Sequence, residues 1–450
     1  MSIFKTYDIR GIYPDQLDEE LIYKIGKSFV QILKEETLKE KLTIVIGRDM
    51  RLSSPSLSKK LIEGIIDTGS DVIDIGLVST PTFYYSIGKF KADGGLQVSA
   101  SHNPKEYNGV KAVRANAYPM GLSNGLDKVR DLCTKNEFEK VEQKGQVINK
   151  ENVVNSIVDY SLKYYNFNIK PLKVVADVAN AMSSPDLDNL FEQLPCELIK
   201  MNFELDGTFP VHQADPFQEK NIVDIKRKVI EEGADLGIAT DGDGDRIFFI
   251  DDKGELVEPG IIRGIIAKVV LQHNPGSKIC YDIRPGRITK DMIIENGGIP
   301  IVTKVGHSLI KIQAIKEKAP FSGESSGHFF MKTNNGFFEC PLIIALIIMD
   351  EISKNGKLSE IIKPLQRYSH SGEINSIVED KEEKMKELEK VFGDGSKVSW
   401  LDGISIEHDD YWFNVRASNT EPLLRLNLEA TSKEKMEEMT KKVVEIIRKI

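Results

Sequence analysis

Cysteine is scarce in this sequence. Its four cysteines, Cys133, Cys196, Cys280 and Cys340, stand far apart, and none forms a C-x-x-C pair. That pattern argues against a disulfide framework and fits a reducing compartment. Basic runs are missing too. Lysine and arginine number 60 against 69 acidic residues, a formal net charge of -9. A nucleic-acid binder is more often basic, so no nucleic-acid partner is expected, and any bound phosphate must be met by a few placed cations. Long apolar runs are absent. The longest, Leu342 to Met349 between Pro341 and Asp350, falls far short of the roughly 20 residues of a membrane span and predicts a buried helix. Met1-Ser2-Ile3-Phe4-Lys5 offers no apolar signal core, so a cytoplasmic chain without a membrane partner is expected.

What is present is a soluble composition, 40% hydrophobic and 29% charged, spread over 450 residues. One core cannot serve that length, so several domains are expected. The pattern repeats. Leu42–Ile46 is an apolar strand; Ser53-Ser54-Pro55 opens a helix; Asp71–Ile75 is a second strand; Gly95–Ser99 is a third, ending in Ser101-His102-Asn103-Pro104. The same order returns with Leu172–Ala176, Glu197–Met201 and Leu236–Ala239, ending in Asp241-Gly242-Asp243-Gly244-Asp245-Arg246. It returns again from Ile279 through Pro300–Lys304 to Phe321, ending in Gly323-Glu324-Ser325-Ser326-Gly327-His328. Alternating strands and helices predict mostly parallel sheets, with each third-strand loop on one sheet edge. After Lys363-Pro364 the texture changes to a charged helix, two antiparallel strands around Trp412–Arg416 and Leu424–Leu428, and a closing helix over 432–449. The expected class is α/β, with three similar domains (1–150, 151–252, 253–368) and a small α+β domain (369–450).

The loops carry the chemistry. Asn103-Pro104 breaks the chain, leaving Ser101 where a strand gives way to a loop, the usual place for α/β active sites. Asp241, Asp243 and Asp245 alternate with glycine, and three such carboxylates repel unless a hard cation lies among them. An EF-hand reading, from Asp241 to Asp252, fails because Arg246 stands where that loop needs glycine and strands flank it. Three protein oxygens leave coordination open, which suits Mg²⁺ bridging a phosphate. Gly323-Glu324-Ser325-Ser326-Gly327-His328 offers a carboxylate and a hydroxyl, a pair that can bracket sugar hydroxyls. Arg416-Ala417-Ser418-Asn419-Thr420, with Arg425, gathers guanidiniums, hydroxyls and turn amides suited to a phosphate dianion.

Taken together, these loops resemble the α-D-phosphohexomutase superfamily, the phosphomannomutase/phosphoglucomutase enzymes, over essentially the whole chain. Tyr7-Asp8-Ile9-Arg10-Gly11 is similar to the family's opening motif, Ser99–Pro104 to its phosphoserine loop, Asp241–Arg246 to its metal loop, Gly323–His328 to its sugar loop and Arg416–Pro422 to its phosphate loop. The resemblance implies three α/β domains with mostly parallel, mixed sheets and a TATA-binding-protein-like fourth. It implies a phosphorylated Ser101 that ligates Mg²⁺ together with Asp241, Asp243 and Asp245. Arg10, Lys111 and His328 would support proton transfer, with Lys111 the first choice of base. Glu324 and Ser326, with His307 and Arg284, would hold sugar. Arg416, Ser418, Asn419, Thr420 and Arg425 would grip the phosphate that is not reacting. His102 and Arg246 lie within the matching loops. The reaction implied is reversible phosphoryl transfer between the 1- and 6-positions of mannose and/or glucose phosphate, with a hexose 1,6-bisphosphate as intermediate and activator. The partner is a small hexose phosphate; a monomer or homodimer is expected. Ser325 sits where family members carry Met, Gln or Glu according to substrate class, and matches none of them. Gly306–Lys311 and Tyr107-Asn108-Gly109 look more like the mannose/glucose branch. Glucosamine phosphate is the alternative sugar, and hydrolysis of the phosphoserine the alternative reaction.

Overall fold

The structure is a computed structural model; it describes residues 3–139, 141–418 and 422–449. The chain forms two compact units. One comprises residues 1–257 and 326–359, the other residues 258–325 and 360–450.

The first unit contains two copies of the expected repeat. In the first copy the strands run Ile9–Ile12, Tyr107–Arg114, Gly94–Val98, Thr43–Arg48, Asp71–Leu77, Val147–Asn149 across the sheet. Gly94–Val98, Thr43–Arg48 and Asp71–Leu77 pair in parallel, as read from the sequence. Tyr107–Arg114 pairs antiparallel with Gly94–Val98, so the chain turns back directly after the serine loop. The second copy repeats the order: Ile247–Ile250 antiparallel, then Leu236–Thr240, Lys173–Asp177 and Glu197–Met201 in parallel. Sequence reading missed these returning strands; Ile247–Ile250 is fully apolar and buried and follows the aspartate loop without a helix. The unit also holds the hairpin Phe329–Thr333/Gly336–Glu339 and the helix Pro341–Asn355. Leu342–Met349 is buried throughout, as its composition requires.

Local signals set the helix starts. Asp18 accepts the Leu21 amide ahead of Glu19–Thr37, and Ser79 accepts the Thr82 amide ahead of Thr80–Lys89, which carries Pro81 in its first turn. Pro55 does the same for Ser54–Ile66. The apolar stripe of Glu19–Thr37 (Ile22, Ile25, Phe29, Ile32, Leu33) packs into the first core.

In the second unit the parallel strands Ile299–Thr303, Lys278–Asp282 and Phe321–Gly323 form the third copy, again with the first strand between the second and third. Its other part is an antiparallel sheet. Leu423–Ala430 and Tyr411–Ala417 pair at its centre, followed by Ile404–Glu407 and Lys397–Ser399. The helices Lys381–Phe392 and Lys433–Arg448 contribute Leu388, Met439 and Val443 to its core. All four cysteines are free. Among the described residues, no helix is long and apolar enough to cross a membrane.

Candidate functional site

Ser101 is 3% exposed and sits at φ 51°. A non-glycine residue there is strained, and the surroundings must hold it. Arg51 does so. Its buried guanidinium donates to the carbonyls of Ser101 (2.8 Å), Asn103 (2.6 Å), Pro104 (2.7 Å) and Tyr107 (3.0 Å). Asp49, at the end of the first strand, pairs with Arg51 at 3.2 Å. Arg10 adds a bond to the Ala100 carbonyl (3.4 Å), one to Asn103 Oδ1, and an ion pair with Asp8. Gln213 donates to the His102 carbonyl at 2.8 Å.

The Ser101 hydroxyl donates to Asp241 Oδ2 at 2.9 Å. Asp241, Asp243 and Asp245 are buried, and one oxygen from each lies within 4.8 Å of the others. Gly242 permits this approach, because a Cβ there would stand 2.4 Å from the Ser101 carbonyl oxygen. Gly244 turns the loop at φ 75°. Thr80 braces the loop from outside: its hydroxyl donates to Asp243 Oδ2 at 2.6 Å and its amide to the Asp243 carbonyl.

The electrostatics follow from burial. Burial and the charges of Asp245 and Asp243 push the Asp241 carboxyl well above its ordinary range. Burial also works against an ionised Asp245, but Lys111, His328 and Arg246 outweigh it and hold that carboxyl low. The Lys111 ammonium lies 2.5 Å from both Asp243 and Asp245. Burial opposes its charge, yet those two carboxylates hold its proton well beyond the ordinary lysine range. His328 Nε2 lies 3.2 Å from Asp245 Oδ1 and 3.3 Å from Arg246 Nε, while Ser326 Oγ meets His328 Nδ1 at 2.9 Å. His102 Nδ1 is 3.2 Å from Ser101 Oγ; burial, with Arg246 and Arg10, keeps that imidazole neutral. The residues fit a divalent cation: Asp243 Oδ1 is a buried carboxylate oxygen with no hydrogen-bond partner. Ser101, Lys111, His328, Arg10, His102, Arg246, Ser326 and the three aspartates thus gather in one unit.

The other predicted residues lie in the second unit. Glu324, 2% exposed, accepts the Gly306 amide at 2.8 Å, just ahead of His307, the first residue of the helix His307–Glu317. Arg284 Nη2 stands 3.7 Å from Glu324 and its Nε 2.5 Å from Asp282. In the C-terminal sheet Arg416 and Arg425 are directly opposite in register. Both pair with Glu373, at 2.8 and 3.3 Å. The Ser418 carbonyl accepts from Lys381 at 3.0 Å. Asn419 and Thr420 lie outside the described residues. Sequence reasoning missed Asp49, Arg51, Thr80, Asp282 and Glu373. Only the Asp-x-Arg spacing of Asp49–Arg51, repeated at Asp282–Arg284, could have flagged three of these supports, Asp49, Arg51 and Asp282.

Four domain families match the chain. Phosphoglucomutase/phosphomannomutase alpha/beta/alpha domain I matches residues 1–140, domain II 152–254, domain III 259–368, and the C-terminal domain 373–446. A phosphomannomutase of Vibrio cholerae is 38% identical over 98% of each chain. The crystal structure of a phosphoglucomutase/phosphomannomutase family protein from Burkholderia thailandensis has a TM-score of 0.89 at 30% identity, covering 98% of this chain and 97% of that one. At the level of fold alone, the chain is similar to Aspergillus fumigatus N-acetylphosphoglucosamine mutase in complex with GlcNAc-6P and magnesium (TM-score 0.63, 12% identity, 100% and 96% covered).

Proposed function

This chain belongs to the phosphoglucomutase/phosphomannomutase family and is a phosphohexomutase, and we propose that it works through a phosphoserine at Ser101. The observation that carries this reading is the Ser101 hydroxyl at 2.9 Å from a buried three-carboxylate cluster. Phosphoryl transfer demands positioning and charge neutralisation more than covalent novelty. In this reading a sugar hydroxyl attacks the phosphorus on Ser101. The new O–P bond forms as the Ser101 Oγ–P bond breaks, and the hydroxyl proton passes to a nearby base. A 1,6-bisphosphate results, turns end for end, and returns its other phosphate to Ser101.

Asp241, Asp243 and Asp245 would hold Mg²⁺. A bound cation would supply charge neutralisation for the phosphate, next to the carboxylates that Lys111 contacts. Lys111 and His328 then serve the proton traffic, Lys111 as first choice of base. Glu324, Ser326, His307 and Arg284 hold the sugar. Arg416 and Arg425, with Ser418, grip the far phosphate, and a held second phosphate favours a mutase over a phosphatase. The substrate class is mannose and/or glucose phosphate, and the setting is cytoplasmic. The Aspergillus fumigatus enzyme, solved with a sugar phosphate and magnesium, supports the cofactor assignment through its shared fold.

The test is Ser101→Ala, assayed beside the parent enzyme on mannose 1-phosphate, glucose 1-phosphate and glucosamine 1-phosphate, with and without a bisphosphate activator. The variant is expected to keep its fold and its stabilisation by Mg²⁺ while losing roughly 10⁴-fold or more in turnover. Full activity in Ser101→Ala overturns the phosphoserine. A preference of the parent for glucosamine 1-phosphate overturns the sugar assignment.

A further inference from the structure

We propose that Asp282 is the positioning residue of the sugar loop, and that the Ser325 hydroxyl is bound to Asp282 rather than free to read the sugar. This rests on the mutase reading above and concerns how its sugar site is held. Asp282 ends the strand Lys278–Asp282 and is fully buried. Its two oxygens meet four donors. Oδ1 accepts from Arg263 Nη1, from the Ser325 amide at 3.1 Å and from the Ser325 hydroxyl at 3.0 Å. Oδ2 accepts from Arg284 Nε at 2.5 Å.

Arg263 ties this hub to the backbone on both sides. Fully buried itself, it donates to the Gly323 carbonyl (3.4 Å) before Glu324 and to the Pro285 carbonyl (2.6 Å) after Arg284. Its Nε reaches Thr289 Oγ1 at 3.2 Å. One carboxylate faces two guanidiniums, so the ion pairs and hydrogen bonds fix its place together. The spare positive charge of Arg284 is met by Glu324 at 3.7 Å. The sugar carboxylate, the arginine beside it and the loop backbone therefore share one anchor. A side chain spent on Asp282 offers its donor to no ligand, so selection of the sugar falls to Glu324, Ser326 and His307.

The chain contains its own precedent. Asp49-x-Arg51, in the corresponding place of the first repeat, clamps four carbonyls of the serine loop. Asp282-x-Arg284 applies the same spacing to the sugar loop.

The experiment compares Asp282→Asn, Ser325→Ala and Ser325→Thr with the parent enzyme in two readouts: amide hydrogen exchange over residues 321–325, and kcat and KM on mannose 1-phosphate and glucose 1-phosphate. Asp282→Asn is expected to exchange faster across the loop and to lose about a hundredfold in kcat/KM, the cost of a misplaced binding group. Ser325→Ala is expected to exchange faster at residues 324–325 and to keep the parent's mannose-to-glucose ratio within about twofold. Threonine keeps the hydroxyl and is expected to restore protection. Unchanged exchange in Asp282→Asn overturns the proposal, as does a mannose-to-glucose ratio altered about tenfold in Ser325→Ala. If Asp282→Asn fails to fold, the alanine and threonine pair decides: equal exchange in both removes the hydroxyl from the anchor. If the parent turns over neither sugar, the mannose/glucose assignment falls while the exchange readout still judges Asp282.

Discussion

The carboxylate cluster around Ser101 and the arginine pair of the C-terminal sheet both meet charge with charge, but in opposite styles. Asp241 and Asp243 are fully buried, and Lys111 is 4% exposed; Ser101 donates to Asp241, and Lys111 and Thr80 both contact Asp243. Arg416 and Arg425 have side chains 13% and 29% exposed, and they share Glu373, 27% exposed. Buried charges are costly to rearrange, so the first region is suited to one fixed geometry. Partly exposed ion pairs are worth less than their number suggests and exchange partners more readily than buried ones. Under the proposed mechanism, a site that receives phosphate in two orientations would gain from the second style at its far anchor. Glu373 pairs with both opposed arginines, and in the proposed function a phosphate dianion would take its place.

Breaking the rigid side has the larger effect. Asp243→Asn removes a carboxylate that Lys111 and Thr80 both contact. It is expected to abolish the Mg²⁺-dependent rise in Tm and to cost about 10³-fold in kcat. A Tm that still rises with Mg²⁺ as in the parent removes Asp243 from the metal site. On the exchangeable side, Arg416→Ala is expected to raise KM about tenfold with kcat changed far less, because it removes binding rather than chemistry. Equal losses in kcat and kcat/KM would make the clamp part of the reacting centre. Glu373→Gln is smaller and of opposite sign. With the competing carboxylate gone, KM is expected to fall about two- to threefold; a rise in KM would mean Glu373 aims the arginines instead of occupying them.

The same contrast explains what was legible in the sequence. Ser101, the three aspartates and the repeat that delivers them advertise themselves, because breakers and glycines sit next to the reactive residue. The parallel strands were readable as apolar runs. Supports were not. Thr80 lies far along the chain from Asp243 and carries no motif, and Arg51 reads as one surface arginine among many until its four carbonyl partners are seen. Glu373 sits in a plain Ser-Gly-Glu turn. The returning antiparallel strands were missed because a two-faced buried strand has no alternating pattern to mark it. Ser325 is the instructive case: its identity suggested an open question about the sugar, and its hydroxyl faces Asp282.

The smallest expected effect lies between these extremes, at His212. Its Nε2 is 3.1 Å from Asp177 Oδ2 and its Nδ1 3.0 Å from the Gln213 carbonyl. Both ring nitrogens face acceptors, so the doubly protonated imidazolium satisfies more of its surroundings than either neutral form. The Asp177 hydrogen bond raises the His212 pKa, against an opposing contribution from burial and with help from the Gln213 carbonyl. A raised histidine pKa stabilises the fold fully below the unfolded value of about 6.5, and the contribution fades as pH rises through the folded value. The Tm difference between the parent and His212→Gln is therefore expected to be largest near pH 6 and to shrink as pH rises above it. Melting curves across that range check it, since a difference that grows with pH would mean the neutral ring is the form the fold prefers.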